Sequence, residues 1–352
     1  MVYTLFGGIM KQKVLVALSG GVDSAAVACI LKDKGYTVAG AIMRLIDDEK
    51  TNKAINDAKN ICLTLGIEFY IFDFVLEFKK IVIDNFIESY RAAITPNPCV
   101  VCNKFFKFGY FFDKARELGF DLIATGHYAK QENGKLMKCK NENKDQTYFL
   151  YNISREVLEN VLFPLADFDN KEEIREIVKS HGLELSAKKD SQEICFIPDD
   201  DYKSFLLKAY DGTITKGKIC LNDKTVLGEH NGLCFYTIGQ RKGLNISYKA
   251  PLYVTGLDAF NNVVYVGEND ELFSDVLIAD KVNWLVEEIP DEVYAKIRSR
   301  SNGEKANLLL HEDGSVKVEF FVKQRAITNG QSVVFYDING CCLGGGIISS
   351  VL

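Results

Sequence analysis

The sequence predicts an α/β protein: an N-terminal doubly wound parallel sheet, then a small mostly β central domain, then a C-terminal antiparallel β-barrel. Two observations give the first part. Apolar segments alternate with amphipathic ones from Val14 to Tyr128, the signature of parallel strands joined by helices. A glycine-rich turn, Leu18-Ser19-Gly20-Gly21-Val22-Asp23-Ser24, directly follows the first apolar run, where a doubly wound sheet places an anion-binding turn. A third observation gives the rest: beyond residue 204 the expected strands are short and separated by glycine- or asparagine-bearing turns. The expected boundaries are 1–203, 204–272 and 273–352.

Taken in order, Val14-Leu15-Val16-Ala17 reads as the first strand, Ala25 to Leu31 as the first helix and Val38 to Met43 as the second strand. Asp47 to Leu65 reads as a helix, with Ala54, Ala58, Ile61, Cys62 and Leu65 on one face and Gly66 as its stop. Ile67 to Phe72 is the third expected strand, followed by helices over Phe78–Tyr90 and 105–118, the latter stopped at Gly119. Asp121 to Tyr128 reads as a buried strand with Gly126 near its end. Ligands of such sheets sit at strand C-terminal ends, so the Ser19–Ser24 turn, Met43 and Gly126 are expected at one edge.

Further on, strands are expected at Gly217–Leu221, Cys234–Ile238, Leu252–Asp258 and Val263–Gly267, with turns at Asp211-Gly212, Asn231-Gly232 and Asn261-Asn262. The barrel strands are Lys296–Arg300, Lys305–Leu310, Val316–Phe321, Gln331–Tyr336 and Cys342–Ile348, punctuated at Asn302-Gly303, Asp313-Gly314 and Asn339-Gly340. Lys296, Arg298 and Arg300 would then alternate onto one strand face, as a phosphate track or a solvated face.

Bulk properties narrow the class. The 352 residues are 47% hydrophobic and 11% aromatic, which suits a globular protein with a core. No apolar run approaches about 18 residues, so no transmembrane helix is expected. The first ten residues lack a basic start and a cleavage site, so no secretory signal is expected and residues 1–9 read as an extension. The expected location is the cytoplasm, where the ten cysteines would be mostly reduced. The net charge of −6 neither advertises nor excludes a nucleic-acid partner, because binding needs a local basic face.

The glycine-rich turn leaves backbone N–H groups at a helix N-terminus, where the dipole also favours negative charge. Gly20 and Gly21 allow close backbone approach. Ser19 and Ser24 add hydroxyls, and Asp23 can hold a magnesium ion against the same phosphates. The Gly-Lys-Ser/Thr ending of a Walker A loop is absent. Ser-Gly-Gly-x-Asp-Ser resembles instead the pyrophosphate loop of the ATP-pyrophosphatase superfamily, a HUP-like fold whose members cleave ATP between the α and β phosphates to adenylate an oxygen.

Cysteines form the second constellation. Thr95-Pro96-Asn97-Pro98-Cys99-Val100-Val101-Cys102-Asn103 carries two prolines, expected to fix a rigid extended loop. Downstream lies Asp190-Ser191-Gln192-Glu193-Ile194-Cys195-Phe196-Ile197-Pro198. Three readings stand: zinc, although a structural site usually needs a second Cys-x-x-Cys pair; inert small hydrophobes, the default for Cys29, Cys62, Cys139, Cys220, Cys234, Cys341 and Cys342; or a redox pair of Cys99 or Cys102 with Cys195, helped by Lys104 and Lys107.

Seven motifs occur in order: Ser-Gly-Gly-Val-Asp-Ser, Thr-Pro-Asn-Pro-Cys-x-x-Cys-Asn, Ala-Thr-Gly-His-Tyr, Lys-Asp-Gln-Thr-Tyr-Phe-Leu, Asp-Ser-Gln-Glu-Ile-Cys-Phe-Ile, Tyr-Thr-Ile-Gly-Gln-Arg-Lys-Gly-Leu and Cys-Leu-Gly-Gly-Gly. With them the chain resembles the bacterial tRNA-specific 2-thiouridylases, from about Lys13 to Ile348. The resemblance implies a tRNA-uridine 2-sulfurtransferase that adenylates the C2 oxygen of uridine 34 with ATP and Mg2+ and replaces it with persulfide sulfur. It implies ATP contacts at Ala17, Leu18, Ser19, Gly20, Gly21, Val22, Asp23, Ser24, Met43 and Gly126. Cys195 would bear the persulfide. Cys102 would be the nucleophile that resolves it, through a transient Cys102–Cys195 disulfide or by freeing sulfide. Asn97, Pro98 and Cys99 would face the target base, and His127, Lys144, Asp145, Gln146, Arg298, Ser299 and Gln331 the tRNA. The implied partners are the tRNA anticodon stem-loop and a sulfur donor, either a cysteine desulfurase or a relay protein. Some members carry Asp where Cys99 stands, so the partner of Cys195 stays open between Cys99 and Cys102, with Cys102 favoured because it precedes Asn103. The Tyr236–Leu244 motif has no assigned chemistry.

Overall fold

The structure, a computed structural model, describes residues 12–185, 194–210 and 214–352. The Asp190–Glu193 part of the second cysteine motif, the Asp211-Gly212 turn and the expected N-terminal extension lie outside the described residues. The chain divides into two compact units: Met1–Leu76, Lys104–Gln146 and Ile153–Asp190 form the first, and Glu77–Asn103, Thr147–Asn152 and Ser191–Leu352 the second.

The chain opens with β1 (Lys13–Ala17), α1 (Val22–Asp33), β2 (Thr37–Arg44), α2 (Glu49–Leu65) and β3 (Glu68–Asp73). Then come α3 (Val75–Phe78), a π-helical stretch Lys79–Ile83, α4 (Asp84–Arg91), α5 (Pro98–Cys102), a second π-helical stretch Asn103–Tyr110 and α6 (Phe111–Glu117). β4 (Leu122–Ala124), a hairpin of β5 (Lys130–Glu132) and β6 (Lys135–Met137), α7 (Arg155–Glu159), β7 (Val161–Leu162) and α8 (Lys171–Ser180) follow. The first unit is a five-stranded sheet in the order β3-β2-β1-β4-β7, with every pairing parallel. β1 is central, and its Val14, Leu15 and Val16 are fully buried, which is why that strand reads as an unbroken apolar run. The strand order reverses at β1, so the crevice of this sheet opens where the Ser19–Ser24 turn leaves it. α1 packs against both the sheet and α8. Its small buried residues Ala25, Ala26 and Ala28 allow that close approach on more than one side.

Two expectations in this region are corrected. The strand expected to reach Tyr128 stops at Ala124, and just beyond it the Thr125 hydroxyl meets the His127 ring. The expected extended loop stops at Asn97, with Pro96 before the helix and Pro98 inside it. Pro98 occupies the first turn of α5, where its missing N–H costs nothing, and Asn97 caps the helix by accepting from the Val100 N–H at 3.4 Å.

The second unit begins its β structure after α9 (Tyr202–Ala209). β8 (Gly217–Leu221), β9 (Val226–His230), β10 (Tyr253–Asp258) and β11 (Val263–Gly267) form a sheet in the order β10-β11-β8-β9, parallel only between β8 and β11. The strand expected at Cys234–Ile238 is instead a single 3-10 turn at Leu233–Phe235. β12 (Phe273–Trp284), β13 (Glu292–Lys296), β14 (Glu304–Leu310), β15 (Val316–Arg325), β16 (Ser332–Tyr336) and β17 (Cys341–Val351) run β12-β15-β14-β13-β16-β17. Antiparallel pairing of β12 with β17 closes these six strands into a barrel, which leaves none of the six as a free edge in the ring.

Thr147–Asn152 belongs to this unit through buried tyrosines. The Tyr148 hydroxyl donates to the Ser332 carbonyl at 2.9 Å and the Ile297 carbonyl at 3.3 Å. Thr147 Oγ1 pairs with the Tyr336 hydroxyl at 3.1 Å, and Ser332 Oγ donates to the Tyr151 hydroxyl at 3.2 Å. Burial raises the Tyr148 phenol far above its ordinary range. Tyr148→Phe strips two buried carbonyls of their donor and is expected to cost about 1–2 kcal/mol, measured as a lower urea midpoint with an unchanged slope.

Candidate functional site

The first candidate centre is the turn between β1 and α1. Ser24, buried, ties the turn to itself: its hydroxyl accepts from the Ser19 N–H at 3.1 Å and donates to the Gly21 carbonyl at 3.1 Å. Gly21 is the N-cap of α1 and offers no side-chain cap to the first-turn N–H groups. Gly20 has φ +69°, and a Cβ there would lie 2.8 Å from the Ala54 carbonyl oxygen. Gly126 lies against the same helix end, where a Cβ would come within 3.3 Å of the Ser24 nitrogen. The structure therefore brings Gly126 to the turn as expected, and the two glycines let α2 and the end of α1 approach the backbone more closely than a side chain would allow. Met43 lies near the end of β2, half-buried and paired with Phe72. Asp23 is not a bare carboxylate: Oδ1 accepts from the Tyr128 hydroxyl at 3.3 Å, and Oδ2 meets Lys171 Nζ at 3.3 Å.

His127 follows Gly126 and is half-buried between Phe108 and Phe163. Its Nε2 is 3.4 Å from Lys107 Nζ and its Nδ1 is 2.8 Å from Thr125 Oγ1. Desolvation, with the Lys107 charge adding to it, holds its pKa well below 6.5. The ring is thus neutral, with Lys107 donating to Nε2 and the ring proton on Nδ1 directed to Thr125. Lys144, Asp145 and Gln146 lie in the same unit. Gln146 grips Tyr128 twice, accepting from its N–H at 2.8 Å and donating its own N–H to the Tyr128 carbonyl at 2.9 Å. Asp145 accepts from the Cys139 N–H at 3.3 Å, and Lys144 sits over the Tyr128 ring at 5.1 Å. These residues are more than a solvated turn, since they support the residue that holds Asp23.

The second centre belongs to the second unit. Cys99 and Cys102 lie one turn apart on α5, Cys99 exposed and Cys102 buried. The adjoining Asn103 is 3% exposed; its Nδ2 donates to the Phe149 carbonyl at 2.8 Å, and its Oδ1 is buried with no hydrogen-bond partner. The segment leading into α5 is seated on the barrel. Gln331 Nε2 donates to the carbonyls of Thr95 and Pro96 at 3.1 and 3.2 Å, and the Thr95 N–H donates to the Asn329 carbonyl at 3.1 Å. Cys195 is exposed in a turn closed by the Ile197 N–H on the Ile194 carbonyl at 3.0 Å. Its neighbour Phe196 is buried against Phe78, Phe86 and Phe205. No disulfide joins Cys102 to Cys195 or any other pair among the ten cysteines.

Matches to known families cover most of the chain. The profile of the tRNA methyl transferase HUP domain matches residues 12–199, that of the tRNA methyl transferase PRC-barrel domain residues 203–268, and that of the aminomethyltransferase beta-barrel domain residues 274–348. The tRNA-specific 2-thiouridylase MnmA 2 of Clostridium tetani (strain Massachusetts / E88) is 46% identical over 97% of this chain and 99% of its own. The chain belongs to the tRNA-specific 2-thiouridylase family. Other members similar to it are MnmA of Clostridium acetobutylicum, 43% identical over 96% of this chain and 100% of its own, and MnmA of Clostridium perfringens, 42% identical over 97% and 99%.

Among the positions that the family resemblance assigned to tRNA, Gln331 has a positioning task that its sequence does not announce. Arg298 is likewise not on a strand: β13 ends at Lys296, and the alternating basic face expected over Lys296–Arg300 is replaced by a turn closed by the Ser301 N–H on the Arg298 carbonyl at 3.2 Å. The Arg298 guanidinium is half-buried and donates to the Ala326 carbonyl at 2.7 Å; burial, then the nearby Arg325, lowers its pKa. Ser299 is half-buried in the same turn. Sequence reading missed the roles of Tyr128 and Lys171 and assigned Lys107 to the cysteines, whereas its Nζ lies by His127; these contacts join residues distant in the chain.

His127 gives a pH test. Its folded pKa lies below the unfolded value of 6.5, so below that pH the unfolded chain takes a proton the folded one refuses. The associated stability is intact above pH 6.5 and is lost as pH falls below it, by at most about 1.4 kcal/mol per pH unit. In an NMR titration of the imidazoles, His127 should still be neutral at pH 6.

Proposed function

We propose that this chain is a tRNA-uridine 2-sulfurtransferase that converts the wobble uridine, U34, to 2-thiouridine with ATP, Mg2+ and a persulfide. The observation that carries the reading is the pairing, in one chain of this family, of an uncapped glycine-walled helix terminus with cysteines held on shaped segments. Uridine O2 is a poor leaving group. Its attack on the α-phosphate of ATP forms a C2–O–P linkage and releases pyrophosphate, with the N3 proton given to solvent, and the oxygen then departs as AMP. The α1 N–H groups and the Ser19 and Ser24 hydroxyls would hold the phosphates. Mg2+ would be carried by the phosphates with Asp23 as its carboxylate, neutralising the departing pyrophosphate, since magnesium usually keeps water and takes one or two carboxylates.

The terminal sulfur of a Cys195 persulfide would attack C2 and expel AMP. The Cys102 thiolate would then attack the inner Cys195 sulfur, leaving 2-thiouridine and a Cys102–Cys195 disulfide for a thiol reductant to reopen; alternatively Cys102 first frees hydrosulfide, which attacks C2. Exposure of Cys195 suits loading by a sulfur donor, a cysteine desulfurase or relay protein. Burial of Cys102 suits a resolving thiol shielded from solvent oxidants. The unpartnered Oδ1 of Asn103 offers an acceptor beside it. An anticodon base suits such a site because an unpaired loop base is the least costly to unstack. The proposed setting is the cytoplasm, without membrane attachment; among the described residues no helix is long and apolar enough to cross a membrane.

The test is a reaction of purified protein with unmodified tRNA, ATP, magnesium and sulfide or a loaded donor, read by nucleotide analysis and nucleoside mass spectrometry. AMP, pyrophosphate and 2-thiouridine at the wobble position are expected; AMP without thiouridine points to another adenylating ligase of the ATP-pyrophosphatase type. With a persulfide donor, Cys195→Ser and Cys102→Ser should each lower thiolation by roughly a thousandfold while pyrophosphate release survives. Cys99→Ser should keep most activity, and its loss instead would make Cys99 the partner of Cys195.

A further inference from the structure

The five residues of α5 carry both thiols of the Cys-x-x-Cys pair, and a helix that short has little hold on its own position. Main-chain pairing alone cannot dock its lead. Pro96 and Pro98 have no N–H, and the Thr95 N–H is spent on the Asn329 carbonyl. Gln331 supplies the missing donors from a side chain: its Nε2 meets the Thr95 carbonyl at 3.1 Å and the Pro96 carbonyl at 3.2 Å. Both N–H groups of that amide are then in use, which leaves Oε1 alone for any other partner. The amide stands on firm backbone. The Gln331 N–H donates to the Thr328 carbonyl at 3.2 Å, its carbonyl accepts from the Ile348 N–H at 2.8 Å, and the Gly330 N–H donates to the Ile348 carbonyl at 2.8 Å. The next residue, Ser332, serves the other end of α5. Its carbonyl accepts from the Tyr148 hydroxyl at 2.9 Å, and its Oγ donates to the Tyr151 hydroxyl at 3.2 Å. Between those tyrosines lies Phe149, whose carbonyl holds Asn103 Nδ2 at 2.8 Å, directly after α5. Two consecutive residues at the start of β16 thus grip the thiol helix at both ends, one directly at Thr95 and Pro96, the other through the tyrosine segment at Asn103.

We infer that Gln331 and Ser332 form a two-ended clamp that positions α5 for sulfur transfer, with Gln331 acting as a positioning residue rather than as a tRNA contact. Cys99 and Cys102 lie three residues apart, on neighbouring turns of one helix, so a small slide or rotation of α5 would change which thiol is shielded. The clamp fixes the assignment, Cys99 exposed and Cys102 buried. Its bearing on sulfur transfer rests on the sulfurtransferase reading of the chain; the clamp itself does not.

The test is alkylation of the full chain with iodoacetamide, without tRNA or ATP, read at each cysteine by peptide mass spectrometry. Gln331→Met keeps the length of the side chain and removes both donors. It should speed labelling of Cys102 by about tenfold to a hundredfold, the loss expected for two hydrogen bonds. Cys220 and Cys342, buried in the central sheet and the barrel, should stay protected. Gln331→Glu, which turns an acceptor toward two carbonyls, should expose Cys102 at least as much. Unchanged Cys102 labelling overturns the inference, and so does a joint rise at Cys102, Cys220 and Cys342, which means global loosening. Should neither variant fold, Gln331→Asn, an amide too short to reach both carbonyls, is put to the same test. In the thiolation assay at saturating tRNA, Gln331→Met should lower kcat by about tenfold to a hundredfold, with KM for tRNA within about twofold of wild type. A raised KM with kcat preserved marks a tRNA contact and overturns the inference, as does faster labelling with no change in kcat. Wild-type protein that makes no 2-thiouridine rejects the functional reading, and the labelling result then still decides whether the clamp exists.

Discussion

An unfilled helix end is the constraint around which the first unit is arranged. α1 begins at Gly21 without a side-chain cap, and its orphan N–H groups carry partial positive charge that must be met by something. Ser24 folds back to bond the turn rather than the helix end, Gly20 and Gly126 keep bulk away, and Asp23 is held to one side by Tyr128 and Lys171. Together these contacts fix the turn while leaving the start of α1 without a side-chain cap. The hydrogen-bonded pair of Gln146 and Tyr128 extends the same support outward.

The second unit solves a different problem, the placing of thiols. A short helix such as α5 has little stability of its own. Its position comes from tertiary anchors: Gln331 and Asn329 hold the strand-like lead at Thr95 and Pro96, and Asn103 grips the Phe149 carbonyl at the other end. Gly330 permits the approach, since a Cβ there would lie 2.7 Å from the Thr95 carbonyl oxygen. Cys195 is anchored differently, by Phe196 sunk among aromatic rings while the thiol stays outside.

Much of this was legible in the chain. The parallel sheet followed from buried runs such as Val14-Leu15-Val16, because a strand covered on both faces tolerates no polar residue. Periodicity placed α2 to within two residues, with Asp48 and Gly66 as real caps. The errors have physical causes. Pro98 suggests an extended loop, yet proline is welcome in a first helical turn once Asn97 supplies the cap. The Lys296–Arg300 alternation looked like a strand, but Arg298 satisfies the Ala326 carbonyl from a turn. The apolar look of Cys234–Ile238 came from packing: Tyr236 and its neighbours enter a core shared with Val254, Val264 and Val266 without joining a ladder. Lys171 and Gln331 carry no local signal at all, since each matters only through partners far along the chain.

The tyrosine anchors of Thr147–Asn152 bear on how the molecule is made. On the ribosome, every strand of the parallel sheet has emerged by β7 and α8 follows soon after, so the helix terminus at Gly21 can be set early. Thr147, Tyr148 and the Thr95 segment before α5 find these partners in Ile297, Asn329, Gln331, Ser332 and Tyr336, late in translation. The thiol-bearing helix is therefore among the first parts synthesised and the last to be seated. A nascent or prematurely ended chain would carry a finished parallel sheet with the lead into α5 still unseated, so completion of the barrel decides when that segment takes its place.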